Sequence, residues 1–182
     1  MKNNIRKKIK TPESYPAGEL TLLQSGVASG KTDFFIDEAL RMIKKDFTVI
    51  YFDTEMDKSS FRDKILNNII GADFSNSKDA IEWLSKQKFY HVNIGNTSEE
   101  FLCENIDECE EDATVFIVYD FVLEGRGYSI TCQTLNSIAQ RYNIPILSGT
   151  QNNCDNRDKV LLSAYRKGQS LSLMGDQIHL LW

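Results

Sequence analysis

Apolar strand-like runs alternating with helical patterns predict an α/β protein with a mainly parallel central sheet and helices on both faces. Three observations carry that expectation. Phe47-Thr48-Val49-Ile50-Tyr51-Phe52 and Ala113-Thr114-Val115-Phe116-Ile117-Val118-Tyr119-Asp120 are apolar without a polar face, as strands buried on both sides must be. Stretches with apolar residues at helical spacing separate such runs. Finally, the first run, Leu20-Thr21-Leu22-Leu23, ends in a small-residue loop that closes on Gly30-Lys31-Thr32 and enters a helix.

The 182 residues suit one domain with a full core. Residues 1–17 are polar, carry two of the three prolines and have no periodicity, so a basic leader or linker is expected there. The folded domain then runs from 18 to 182. Strand one spans about Glu19 to Gln24. The next helix has Ile36, Ala39, Leu40 and Ile43 on one face, with Lys44 and Lys45 suiting its negative C-terminal end. After the Phe47–Phe52 strand, Asp57 can cap a helix carrying Phe61, Ile65 and Ile69, which Gly71 stops. A short helix around Ile81, Trp83 and Leu84 leads to a strand at Phe89–Ile94. Thr97 with Glu100 forms a capping-box pattern opening a helix with Leu102, Ile106 and Cys109 on one side. Beyond the 113–120 strand comes a helix with Leu135, Ile138, Ala139 and Tyr142 inward. A strand from Ile144 to Gln151, a polar loop over 152–163 and a last strand at Gln177–Leu181 complete the pattern.

Composition narrows the function classes. With 41% hydrophobic and 26% charged residues the chain reads as a soluble globular protein. No apolar run approaches bilayer length, and the basic N-terminus lacks the apolar segment of a signal peptide, so a cytoplasmic protein without a membrane partner is expected. Cys103, Cys109, Cys132 and Cys154 contain no C-x-x-C pair and do not suggest a zinc site. The net charge of −5 argues against nucleic-acid binding by the whole surface. Positive charge does cluster at Lys2, Arg6, Lys7, Lys8 and Lys10, either as a solvated tail or as an arm for nucleic acid or a partner.

The chemistry centres on Ser25-Gly26-Val27-Ala28-Ser29-Gly30-Lys31-Thr32. A strand, a glycine loop, Gly-Lys-Thr and a helix make a phosphate cradle: loop amides and the helix N-terminus face phosphate oxygens, Lys31 reaches the terminal phosphates, and the Thr32 hydroxyl holds Mg²⁺. Ser25 stands where the motif wants glycine. In open α/β sheets, ligands sit at the carboxyl ends of the strands, and three more polar residues fall there. Asp120, after an apolar run, reads as the acid that holds Mg²⁺ with Thr32, the alternative being a simple strand cap. Glu55 is the candidate base for an attacking water, or else a surface acid in an acidic turn with Asp53 and Asp57. Gln151 can contact the γ-phosphate or be an ordinary strand-end amide. Arg126 lies in the loop after Asp120; Arg157, Lys159, Arg166 and Lys167 lie in or after the loop following Gln151. They are candidate nucleic-acid contacts or solvated loop charges.

With these pieces in place, the chain resembles the RecA-fold ATPase domain of DnaB-like, phage-type hexameric replicative helicases. Pro16-Ala17-Gly18-Glu19-Leu20-Thr21-Leu22 is similar to the entry those domains use before the phosphate loop, the Walker A motif, and Ser25 looks like a phage-type variant within it. Val49–Met56 is similar to the family's strand ending in Leu-Glu-Met, whose glutamate is catalytic. Tyr119-Asp120-Phe121-Val122 is similar to its Walker B segment, and Gly149-Thr150-Gln151-Asn152-Asn153 to its Ser-Gln-Leu-Asn sensor. Arg166, ten residues before Asp176, is spaced like the family's late arginine. The resemblance covers residues 16–182. It implies a RecA-like P-loop NTPase fold, ATP and Mg²⁺ as cofactors, single-stranded DNA as partner, and assembly into a ring of copies or with a related helicase subunit. Two departures accompany it. The family's N-terminal primase-binding domain is absent, and the sequence ends at Trp182, where the family continues into strands whose basic residues act on the neighbouring subunit's nucleotide. These departures keep a second function in view: a RecA-like accessory ATPase or nucleotide switch, such as a helicase loader, recombination mediator or ring inhibitor. A metabolic kinase fits less well, since no arginine-rich lid is visible.

Overall fold

The computed structural model describes residues 15–26, 30–53, 56–93, 99–109, 115–120, 127–152 and 177–180. In chain order these form β1 (Leu20–Gly26), α1 (Lys31–Ile43), β2 (Thr48–Asp53), α2 (Lys58–Ile69), α3 (Ser77–Ser85), β3 (Phe89–Asn93), α4 (Glu99–Asp107), β4 (Val115–Asp120), α5 (Gly127–Tyr142), β5 (Ile146–Asn152) and β6 (Gln177–Leu180). The strands make one six-stranded sheet in the order β3-β2-β4-β5-β1-β6. Every neighbouring pair is parallel, as the unbroken apolar strands require.

Helices cover both faces. Along β2 every residue is buried, and successive side chains serve opposite layers. Val49 and Tyr51 pack with Phe35, Ile36 and Ala39 of α1 and with Phe61 and Ile65 of α2. Ile50 and Phe52 belong to the other layer, with Leu102 and Ile106 of α4 and Leu135 and Ile138 of α5. The expected inward positions of α5 hold for Leu135, Ile138 and Ala139, whereas Tyr142 is only half-buried.

Element ends show where tertiary pairing overrides local pattern. β1 runs on to Gly26 because it stays in register with β5 through the Gly26–Asn152 pair. β2 starts at Thr48 because the Phe47 amide donates to the Met42 carbonyl (3.1 Å) and closes the end of α1. The expected Asp57 cap is present, its carboxylate accepting from the Ser60 N–H at 2.8 Å. Gly71 follows α2 at φ +86°. Cys109 lies just beyond α4 in a turn, its amide donating to the Ile106 carbonyl (3.1 Å). Thr97, the expected cap of α4, lies outside the described residues. Tyr15, in the stretch read as leader, is buried and donates its hydroxyl to Glu38 at 2.8 Å. Burial and the Glu38 carboxylate push its phenol well above the ordinary tyrosine range.

Among the described residues, Cys103, Cys109 and Cys132 are free thiols. No group of three or more His, Cys, Asp and Glu side chains there could hold a metal ion. No described helix is long and apolar enough to cross a membrane.

Candidate nucleotide site at the strand ends

The stretch from Ser25 to Thr32 is described at its two ends. Ser25 and Gly26 finish β1, and Gly30 is the N-cap of α1 at φ 81°, ψ 20°, a left-handed conformation that glycine adopts without a Cβ penalty. Among the described residues, no side-chain hydrogen bond caps this helix. An N-terminus left open in this way presents its first-turn amides and the positive end of the helix dipole to an anion. Val27, Ala28 and Ser29 lie outside the described residues.

Lys31 is 8% exposed despite its charge, because its stem lies against β5. The notch is Gly149. A Cβ built there would stand 2.7 Å from Lys31 Cδ and 2.8 Å from Phe35 Cζ. Only a residue without a side chain lets the lysine stem and the aromatic ring share that strip of β5. The ammonium sits 5.9 Å from the Phe35 ring centroid, within cation–π range. Thr32 is half-buried, and Asp33 pairs with Lys64 of α2 at 2.9 Å, fixing the start of α1 against its neighbour.

The two described acids at the end of β2 differ in burial, Asp57 being exposed. Asp53 is fully buried. Its Oδ2 accepts the Met56 N–H at 3.2 Å and lies 3.3 Å from Nε2 of His91, a β3 residue. His91 stacks on Phe61 with centroids 3.7 Å apart and ring planes 7° from parallel. Asn93, at the end of β3, donates its side-chain amide to the Met56 carbonyl at 2.7 Å. Both backbone groups of Met56 are therefore held by side chains from two strands. Asp57 carries the opposite perturbation to a buried acid: the Ser59 hydroxyl and the Ser60 amide lower its pKa to about 2. Glu55 lies outside the described residues, between Asp53 and Met56.

Strand register brings the remaining strand-end candidates onto one rim. Asp120 pairs with Asp53 across β4 and β2. Gln151 pairs with Ser25 across β5 and β1. Since Tyr119 pairs with Ser148, Asp120 and Gly149 come next along β4 and β5. Across the sheet the order is thus the Asp53 end, Asp120, Gly149 to Gln151, and the start of the glycine loop. Parallel strands lie about 4.8 Å apart, so these ends span a few nucleotide-phosphate widths. Asp120 and Gln151 are placed by their backbones, and their side chains are not described. Arg126, Arg157, Lys159, Arg166 and Lys167 lie outside the described residues. A groove of about 500 Å³ edged by Lys58, Arg62, Tyr90 and Glu108 lies at β3, the far side of the sheet from β1.

Sequence reasoning missed Asp53, His91 and Asn93 as parts of this rim and gave Gly149 no role. A signal existed for Asp53: like Asp120, it ends an apolar strand. Nothing local marks His91 or Asn93, which reach the site only through the β2–β3 pairing.

Comparison with known proteins bears on the fold. The chain superposes on the ATPase domain of a phage helicase with a TM-score of 0.75 and 18% identity, over 92% of this chain and 70% of that one. It also matches a DnaB-like replicative helicase, described with its interactions with primase, at TM-score 0.64 and 16% identity, over 75% of this chain and 39% of that one. The fold is that of DnaB-like helicase ATPase domains. No family model matches the sequence, and no curated protein matches it. At such identities a helicase-type fold is shared through the course of the backbone, and the chemistry rests on the residues described above.

Proposed function

We propose that this chain is an ATP-dependent DNA helicase motor domain of the DnaB-like type, hydrolysing ATP with Mg²⁺ and acting on single-stranded DNA in replication. The observation that carries the proposal is the Lys31 stem laid in the Gly149 notch of β5, at the start of a helix that no side chain caps among the described residues, within a helicase-type fold. A buried lysine at an open helix N-terminus fits a polyphosphate, which offers charge and acceptors together.

Each residue then has a task. Ser25 to Gly30 and the first turn of α1 wrap the phosphates, and Lys31 neutralises the terminal ones. Thr32 and Asp120 hold Mg²⁺, which supplies charge neutralisation on the phosphate oxygens when bound. Glu55 orients and deprotonates the attacking water. Gln151, paired to Ser25, senses the terminal phosphate and passes its presence to the loop behind β5. Arg126, Arg157, Lys159, Arg166 and Lys167 are the proposed nucleic-acid contacts. Copies of the chain, or a related helicase subunit, complete a ring.

The deciding experiment is ATP hydrolysis with and without single-stranded DNA, run beside sizing with nucleotide. Stimulation by DNA together with a ring supports the motor. A nucleotide-binding chain that stays monomeric and is not stimulated overturns it in favour of an accessory switch.

A further inference from the structure

The sheet is left open at β3, its outermost strand on that side. β2, one strand further in, is buried along its whole length. Phe89-Tyr90-His91-Val92 of β3 is not, and Tyr90 is 48% exposed. The groove of about 500 Å³ at β3 touches all four of these residues in succession. Successive side chains of a strand point to opposite faces, so a hollow that meets four in a row runs along the strand's outer edge. We propose that this edge takes up an extended acidic segment of another protein as a seventh strand of the sheet.

Backbone geometry supplies the template. The Val49 N–H donates to the Lys88 carbonyl at 2.9 Å, so Lys88, Tyr90 and Val92 turn their polar backbone groups toward β2. Those of Phe89 and His91 point outward, and among the described residues no backbone group pairs with them. Such a row binds an extended chain by main-chain hydrogen bonds, and the walls on either side select its side chains. On the α2 side Phe61 and Ile65 lie buried beneath Lys58 and Arg62, which are exposed at the lip one helical turn apart. Neither cation forms an ion pair with a described residue. On the α4 side Glu108 is the one charge among the described lining residues. In a chain of net charge −5, this edge suits a strand with acidic side chains toward α2 and aliphatic ones toward Tyr90 and Val92. A second copy fits less well. Two β3 edges paired antiparallel, the more stable arrangement, would set α2 beside α2 and bring Lys58 and Arg62 against their own counterparts.

The probe is a pool of decapeptides with glutamate fixed at alternate positions and valine, isoleucine or threonine between, tested beside a pool with lysine fixed instead. The glutamate pool should slow amide hydrogen exchange at Phe89 and His91 by about tenfold or more. A retained peptide should bind about tenfold more weakly to the double variant Lys58→Glu, Arg62→Glu, whose two exposed positions leave the core intact. If no glutamate peptide is retained at millimolar concentration, the proposal is overturned. Retention without slower exchange at those two amides overturns strand addition. Equal binding of the lysine pool to the wild-type chain, or of the glutamate peptide to the double variant, overturns the acidic partner. A dimer on sizing, with both amides already protected in the absence of peptide, makes a second copy the occupant and overturns it too.

Discussion

Adding one methyl group at Gly149 is the sharpest test of how the lysine is held. In Gly149→Ala the new Cβ meets Lys31 Cδ at 2.7 Å and Phe35 Cζ at 2.8 Å, where ordinary contacts begin at 3.4 Å. Both neighbours are therefore about 0.6 to 0.7 Å too close. Phe35 is fully buried and has nowhere to retreat. The lysine stem must yield, or β5 must shift away from α1. Overpacking of this size costs about 1–3 kcal/mol, which for a chain of this length lowers the melting temperature by roughly 2–12 °C. Displacing the ammonium also weakens a charge-assisted contact to phosphate, worth about 1.5–3 kcal/mol, or roughly a 10- to 100-fold loss of nucleotide affinity. Thermal unfolding without ligand and nucleotide titration of the same variant separate the two effects. In a Lys31→Ala background the stability cost of Gly149→Ala should shrink without vanishing, since Phe35 remains in place. Wild-type melting temperature and nucleotide affinity in Gly149→Ala would refute the notch.

Other expectations can be checked alongside. Lys31→Ala should abolish ATP hydrolysis, and Glu55→Gln should stop turnover with nucleotide still bound, measured by phosphate release and nucleotide retention. Phe61→Ala should cost about 3–5 kcal/mol in denaturant unfolding, because the buried ring stacks with both His91 and Phe89, lying 6° from parallel with the latter. Tyr15 has a raised pKa when folded, so the stability it contributes is full below the unfolded value near 10 and is lost as pH rises above it. Denaturant titrations at neutral and strongly alkaline pH should accordingly show a smaller alkaline loss for Tyr15→Phe than for the wild type. Asn76→Ala removes the α3 cap, whose carbonyl accepts from the Asp79 N–H at 3.0 Å, and should cost about 0.5–2 kcal/mol.

The α/β class, the parallel sheet and most elements follow from sequence because buried parallel strands must be apolar throughout and helices must be apolar on one side. Val49 to Phe52 could be recognised as a strand with no partner in view, and Asp57 as a cap from its position alone. The expectation of a phosphate loop at Gly30-Lys31-Thr32 could be formed from sequence because the chemistry it invokes is local: glycine for the turn, lysine for charge, a helix for the dipole. Lateral order is a different matter. No local pattern says that β4 and β5 insert between β2 and β1, that Ser25 pairs with Gln151, or that Asp53 pairs with Asp120. Pairing energy is shared among strands far apart in the chain, so register emerges only when the sheet closes. For the same reason Gly149 carries no message in sequence. Its role exists only because Lys31 and Phe35, more than a hundred residues earlier, come to lie across it. His91 and Asn93 likewise read as ordinary residues of an edge strand until β3 sets them beside Asp53 and Met56. Local residue order dictates the kinds of elements and the chemistry of the loop, since both act over a few neighbouring residues. Which distant side chains hold that chemistry in place is settled by packing, because those contacts exist only once the sheet has assembled.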